Sequence, residues 1–61
     1  MTSYEIRVIR QGGATVYNSP QLSDYAAIRR ARLLAEDGDI VEVWRGLNCV
    51  FTHAPPHLRL H

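Results

Sequence analysis

Residues 23–38, with the sequence SDYAAIRRARLLAEDG, decide the fold because they predict the one long helix of the chain. Ser23 is expected to be the N-cap, its hydroxyl accepting a hydrogen bond from a first-turn amide, and Asp24 complements the positive end of the helix dipole. Gly38 is expected to end the helix, because glycine readily adopts the left-handed conformation found there. The apolar side chains at helical spacing form a narrow, mostly alanine face: Ala27, Ile28, Ala31, Leu34 and Ala35. Such a face lets the helix lie close against a sheet.

Two strands are expected before the helix. Residues 4–10 alternate in polarity and contain β-branched side chains, and residues 14–18 predict a shorter second strand. The intervening Gln11-Gly12-Gly13 supplies the positive φ angles that a tight hairpin needs. Pro20 is an alternative first residue of the helix, but a start that early would place Leu22 off the apolar face. A start at Ser23 is therefore preferred.

Two further strands follow the helix. Residues 39–45, DIVEVWR, are the clearest strand of the chain, and residues 49–52 are expected to pair back after a turn at residues 46–48. The sequence predicts an α+β domain of ββαββ order over residues 1–53, in which one helix packs on one face of a four-stranded, mainly antiparallel sheet. Pro55 and Pro56 lack amide donors, so residues 54–61 are expected to form an extended C-terminal tail.

The helix and the third strand carry a resemblance to other proteins. Asp24-Tyr25-Ala26-Ala27-Ile28, Ala31-Arg32 and Val41-Glu42-Val43-Trp44-Arg45-Gly46, closing at Val50, resemble a group of small, uncharacterised, mostly proteobacterial proteins. Those chains have a helix of the form A-x-x-x-A-R followed by a strand V-E-V-W-x-G. In place of the group's charged turn residue after the glycine, this chain has Leu47-Asn48. The resemblance implies the ββαββ fold and no known activity.

Composition narrows the classes of function. The chain has 61 residues with a net charge of +1, and seven arginines nearly balance six acids. Proteins that bind nucleic acid through phosphate contacts usually carry a basic surplus. The single cysteine, Cys49, excludes an internal disulfide and fits a reducing compartment. We found no leader pattern and no apolar run long enough to span a membrane, so a cytoplasmic location is expected.

The third strand raises the main question about function. If Val41 and Val43 point to the helix, alternation sends Ile40, Glu42 and Trp44 to the open face of the sheet. Tryptophan and arginine are enriched at binding hot spots, so this face is a candidate interface. The alternative is that Trp44 faces the helix as core, or that Leu47 and the tail fold over it.

The leading hypothesis is a small non-enzymatic protein that binds another protein, through this face or an edge strand. Its most concrete form is an inhibitor or adaptor encoded by a phage or mobile element, acting on a host complex as anti-CRISPR proteins do. The expected partner-binding residues are Trp44, Ile40, Glu42, Arg45, Arg29 and Arg30. Self-association into a homodimer through an exposed edge strand is a further possibility.

A second hypothesis is a small RNA- or DNA-binding module. It would use Arg29, Arg30 and Arg45, with Trp44 or Tyr17 stacking on a base. Further arginines lie on the predicted elements at Arg7, Arg10 and Arg32. The near-neutral charge makes this the weaker hypothesis.

Metal binding and catalysis are not expected. His53, His57 and His61 follow Cys49 at steps of four, but Pro55 and Pro56 would break the helix needed to align them as ligands. Along an extended strand, Cys49 and His53 would lie about 13 Å apart, too far for a nucleophile and its base. Cys49 is instead expected to be a small buried apolar residue. No cofactor is expected.

Overall fold

The structure, a computed structural model, describes residues 1–56 of the chain. It contains β1 (Thr2–Arg10), β2 (Gly13–Gln21), α1 (Asp24–Leu34), β3 (Ile40–Arg45) and β4 (Asn48–His53). The strands form one sheet in the order β2-β1-β3-β4, and every neighbouring pair is antiparallel. The predicted α+β fold of ββαββ order is confirmed. Residues 57–61, with His57 and His61, lie outside the described residues.

The core lies between α1 and the two central strands. Alternate residues of β1 and β3 face the helix, and their small partners on α1 let the backbones approach closely. The buried apolar residues are Tyr4, Ile6, Val8, Val41, Val43, Ala27 and Ala31. Ile28, Leu34 and Ala35 pack at the margin of this core. The predicted apolar face of the helix is therefore the face that contacts the sheet.

The helix begins as predicted. Ser23 is in an extended conformation, and its Oγ accepts a hydrogen bond of 3.2 Å from the amide of Ala26. Asp24 follows in the first turn, where a carboxylate complements the helix dipole. No helix within residues 1–56 is long and apolar enough to cross a membrane.

The helix ends earlier than the sequence predicts, at Leu34 and not beside Gly38. A turn between Glu36 and Asp39 follows the helix. The Asp39 carboxylate accepts a hydrogen bond of 2.8 Å from the amide of Glu36, and the Asp39 amide donates to the Glu36 carbonyl at 3.1 Å. Gly38 has the expected positive φ, +93°, but it serves this turn and does not cap the helix. The local Asp39 hydrogen bonds compete with helix continuation.

Strand β2 is longer than predicted. It pairs with β1 without interruption from Gly13 opposite Arg10 to Gln21 opposite Thr2. Residues 18–20, Asn-Ser-Pro, have low strand propensity, so the sequence does not predict that β2 continues through them. Pro20 is tolerated because β2 is an edge strand, where a proline nitrogen can face away from the ladder.

Candidate functional site

Trp44 lies on the sheet face opposite the helix. Val41 and Val43 are buried against α1, and alternation along β3 places Ile40, Glu42 and Trp44 on the other face. The pairing of Trp44 with Glu5 on β1 agrees, since directly paired residues share a face. Trp44 is half-buried there. Of the two orientations left open by the sequence, the structure shows the open-face one.

Two polar side chains hold the Trp44 ring in place. The indole Nε1 donates a hydrogen bond of 3.0 Å to Oε1 of Glu42. On the ring face, the guanidinium carbon of Arg7 lies 4.7 Å from the ring centroid, a cation–π geometry. Arg7 in turn donates to Glu5 at 2.5 Å and lies 3.6 Å from Glu42. Glu5, Arg7, Glu42 and Trp44 therefore form one network, which we call the Trp44 network.

Apolar side chains extend the open face beyond this network. Ile9 of β1 pairs directly with Ile40 of β3. On the other side of Arg7, Val16 of β2 pairs directly with Arg7 and is 54% exposed. Leu47, which the sequence offered as a cover for Trp44, is 95% exposed. The face thus combines a central polar network with apolar residues on either side.

The expectation that Cys49 is buried is wrong. Cys49 is exposed, and it pairs with Trp44 across β3 and β4, where a register shift next to Val43 and Trp44 disturbs the ladder. Its thiol donates a weak hydrogen bond of 3.4 Å to the carbonyl of Phe51. His53 pairs with Val41, a helix-facing residue. Cys49 and His53 therefore pair with different residues of β3, at opposite ends of β4.

Arg45 belongs to a different part of the molecule from Trp44. It lies on the helix side of β3 and donates to Oδ2 of Asp24 at 2.5 Å, while the Tyr4 hydroxyl donates to Oδ1 of Asp24 at 2.5 Å. The hydrogen bond from Arg45, followed by that from Tyr4, holds the pKa of the Asp24 carboxyl below its ordinary value of 3.8. These contacts tie the start of the helix to the sheet.

Arg29 and Arg30 are exposed on the outer side of the helix, remote from the open face. Arg29 lies over the ring of Tyr25 at 6.0 Å. The structure therefore groups Ile40, Glu42 and Trp44 on one surface and separates them from the three predicted arginines. Tyr25 lies four residues before Arg29 and Leu33 four residues after it, and these two side chains are 70% and 74% exposed. Sequence analysis missed this stripe. The four-residue spacing of these side chains is visible in the sequence, but only the apolar residues of the sheet-facing side were considered there.

The strand arginines are paired with acids. Arg10 donates to both carboxylate oxygens of Asp39, at 3.1 and 2.6 Å. Asp39 is buried, and the Arg10 hydrogen bond, together with the Glu36 amide, lowers the pKa of its carboxyl. Tyr17 pairs with Ile6 and packs against the core on the helix side. Tyr17 and Trp44, the two alternatives for stacking on a base, therefore lie on opposite faces of the sheet.

A groove of about 550 Å³ lies on the helix side, at the other end of the sheet from Arg45. Arg32, stacked on Phe51 at 5.3 Å, and the exposed His53 line it, as do Pro55 and Pro56. Side chains of both charge signs border this groove. It shares no lining residue with the Trp44 network.

Within residues 1–56, no group of three or more His, Cys, Asp or Glu could hold a metal ion.

No known family model matches the chain, and no curated protein or solved structure matches it either. The resemblance to small proteobacterial proteins with a V-E-V-W-x-G strand therefore stays a prediction.

Proposed function

We propose that this chain is a small non-enzymatic protein-binding module that docks another protein on the open sheet face around Trp44. The observation that carries the proposal is the orientation of the Trp44 ring, held on that face by Arg7 at 4.7 Å and Glu42 at 3.0 Å. A half-buried tryptophan fixed at the centre of an uncovered sheet face is an arrangement that suits a binding hot spot.

Fixing the side chain before binding matters for affinity. Ordering a flexible side chain at an interface costs about 0.5–1.5 kcal/mol, so a ring that is already held loses less entropy when the partner arrives. The flanking Ile9, Ile40 and Val16 add apolar contact area. The charged groups of the Trp44 network supply polar positions that discriminate between partners.

The partner that this face fits is a protein surface with a small apolar patch and charges of both signs. On the open face, Arg7 is already engaged by Glu5 and Glu42, which leaves no net positive field for a phosphate backbone. Arg10 and Arg45 are likewise paired with carboxylates. The balance of charge favours protein over nucleic acid.

A narrower form of the proposal is an inhibitor or adaptor from a phage or mobile element, acting on a host complex in the manner of anti-CRISPR proteins. A chain of 61 residues with one open sheet face suits a role in which binding alone blocks a larger assembly. This form predicts that the purified protein reduces target cleavage by a host defence nuclease complex, and that Trp44→Ala removes the effect.

The general proposal is tested by affinity capture from cell lysate with tagged full-length protein, before and after nuclease treatment. Trp44→Ala removes the ring from the open face, whereas Leu33→Ala removes an equally apolar side chain from the outer helix surface as the matched control. The expected result is a specific protein that survives nuclease and Leu33→Ala but is lost with Trp44→Ala. Capture lost on nuclease treatment would instead support the nucleic-acid hypothesis, and capture retained by Trp44→Ala would reject this surface.

A further inference from the structure

The two edges of the sheet differ in how open they are to further strand pairing. Natural proteins protect edge strands by shortness, bulges, charge or proline. Strand β4 has six residues, a register shift opposite it at Val43 and Trp44, and the prolines Pro55 and Pro56 just beyond its end. Strand β2 has nine residues in unbroken register with β1 and contains no charged side chain. Within residues 1–56, nothing pairs with its outer edge.

Pro20 shows which backbone groups of β2 face outward. A proline within a ladder has its nitrogen on the solvent side, so Pro20 and the residues at steps of two from it point away from β1. Ala14, Val16 and Asn18 therefore carry free amides and carbonyls at the edge. Their side chains share the open face, because Val16 pairs with Arg7 and Asn18 with Glu5.

We propose that β2 is the surface on which two copies of this chain pair, antiparallel about a two-fold axis that passes between the two Val16 residues. In this register Val16 faces Val16 of the second copy, and Ala14 faces Asn18. All three free amides then find carbonyl partners. Pro20 falls at the end of the ladder, where its missing N–H costs nothing.

The chemistry of β2 suits pairing with itself. An antiparallel two-fold interface brings identical or neighbouring residues together, so a charged strand would repel its copy, whereas β2 has no charge to repel. The exposed Val16 side chains would bury each other at the centre. On the helix side, Thr15 would face Tyr17, a favourable pairing of a β-branched with an aromatic residue.

Pairing through β2 would bury additional surface in a domain that buries little surface by itself. A chain of this length buries only roughly 60% of the surface of its unfolded form. A two-fold axis perpendicular to the sheet yields one eight-stranded sheet with both helices on one side. Both Trp44 networks then lie on the opposite side, about 24 Å apart across five strand spacings. Pairing through β2 engages Val16 at the rim of the open face but leaves both Trp44 networks uncovered, so this inference does not depend on the proposed function.

The first test is sedimentation of the full chain at protein concentrations from about 10 µM to about 1 mM. This range suits an interface whose buried area is at the small end for specific contacts. Val16→Lys places two like-charged side chains directly opposite each other in the proposed dimer, on Cα atoms about 5.5 Å apart. Thr52→Lys introduces the same side chain at an exposed open-face position on β4. The expected result is a concentration-dependent dimer that Val16→Lys weakens at least tenfold and Thr52→Lys leaves intact. A monomer throughout, or a dimer that only Thr52→Lys disrupts, would overturn the proposal.

The second test fixes the register and does not depend on a charged variant folding. In a Cys49→Ser background, Val16→Cys places the two Cα atoms about 5.5 Å apart, whereas Ala14→Cys places them about 14 Å apart. A thiol crosslinker with a reach below about 10 Å should join Val16→Cys chains much faster than Ala14→Cys chains. Equal rates for the two variants would contradict the register centred on Val16. Faster crosslinking of Ala14→Cys would contradict it as well.

Discussion

The guanidinium of Arg7 lies over the indole ring of Trp44, 4.7 Å from its centroid, on the face of the sheet that the helix leaves open. Arg7 is itself held by Glu5, and Glu42 accepts the indole N–H. Each member of the Trp44 network therefore restrains another. The arrangement explains how a tryptophan outside the core is half-buried and has a defined orientation.

Arg7→Gln should loosen the Trp44 ring. It removes the cation over the ring face but leaves the hydrogen bond from Trp44 to Glu42, so the free energy of unfolding should change little. Because Trp44 is the one tryptophan of the chain, its fluorescence reports the change directly. Acrylamide should quench the variant more efficiently, and its emission should shift to the red. Arg29→Gln, which removes a cation from Tyr25, is the matched control; identical quenching in both variants would contradict the network.

Ala31→Leu should destabilise the fold because the helix lies close against the sheet. Ala31 is fully buried, and a larger side chain there forces α1 away from β1 and β3. Overpacking of this kind costs about 1–3 kcal/mol. Urea unfolding followed by circular dichroism measures the effect. The exposed Leu33→Ala should stay within about 0.5 kcal/mol of wild type; a similar value for Ala31→Leu would mean that the helix sits farther from the sheet.

The stability of the fold should fall at acidic pH because of the Asp39 carboxyl. The Arg10 hydrogen bonds and the Glu36 amide lower the pKa of the Asp39 carboxyl below 3.8. The stabilisation is present above the unfolded-state pKa and is lost as pH falls through the lower folded-state pKa. Thermal stability should therefore be level from neutral pH down to about 5 and fall below about 4. Asp24, whose carboxyl pKa is also lowered, should contribute to the same fall.

Asp39→Asn tests this assignment. The variant should be less stable than wild type at neutral pH and should lose less stability on acidification, because one of the responsible carboxylates is gone. Asp37→Asn, at an exposed position in the same turn, serves as the control. An Asp39→Asn profile that runs parallel to wild type down to about pH 2 would show that the turn does not contribute to acid sensitivity.

The sequence predicted most of the fold because its patterns were local. Alternation in β1 and β3, the alanine face of α1 and Ser23 as N-cap are each visible in short stretches. The helix end was missed because the Asp39 carboxylate, which accepts from the Glu36 amide in the competing turn, is also bound by Arg10, 29 residues away in the chain. The length of β2 was missed because pairing with β1, and not its own propensity, holds residues 18–20 in the sheet.

The candidate site was predicted only in part. Alternation was enough to place Ile40, Glu42 and Trp44 on one face. It gave no information on Arg7 and Glu5, which reach Trp44 only because β1 pairs with β3 in this register. The same alternation places Arg45 on the helix side of β3, and the contact that it makes there with Asp24 is tertiary. Cys49 is exposed because β4 is an edge strand, and strand order cannot be obtained from local pattern alone.

Binding at the Trp44 face can be measured by fluorine NMR of the full chain labelled with 5-fluorotryptophan, which carries one label because Trp44 is the one tryptophan. A partner recovered by capture is added unlabelled, so that the signal reports the open face alone. We expect the Trp44 resonance to shift or broaden in proportion to the complex formed. A resonance that stays unchanged while the partner co-sediments with the protein would show that the partner binds elsewhere and not on the open face around Trp44.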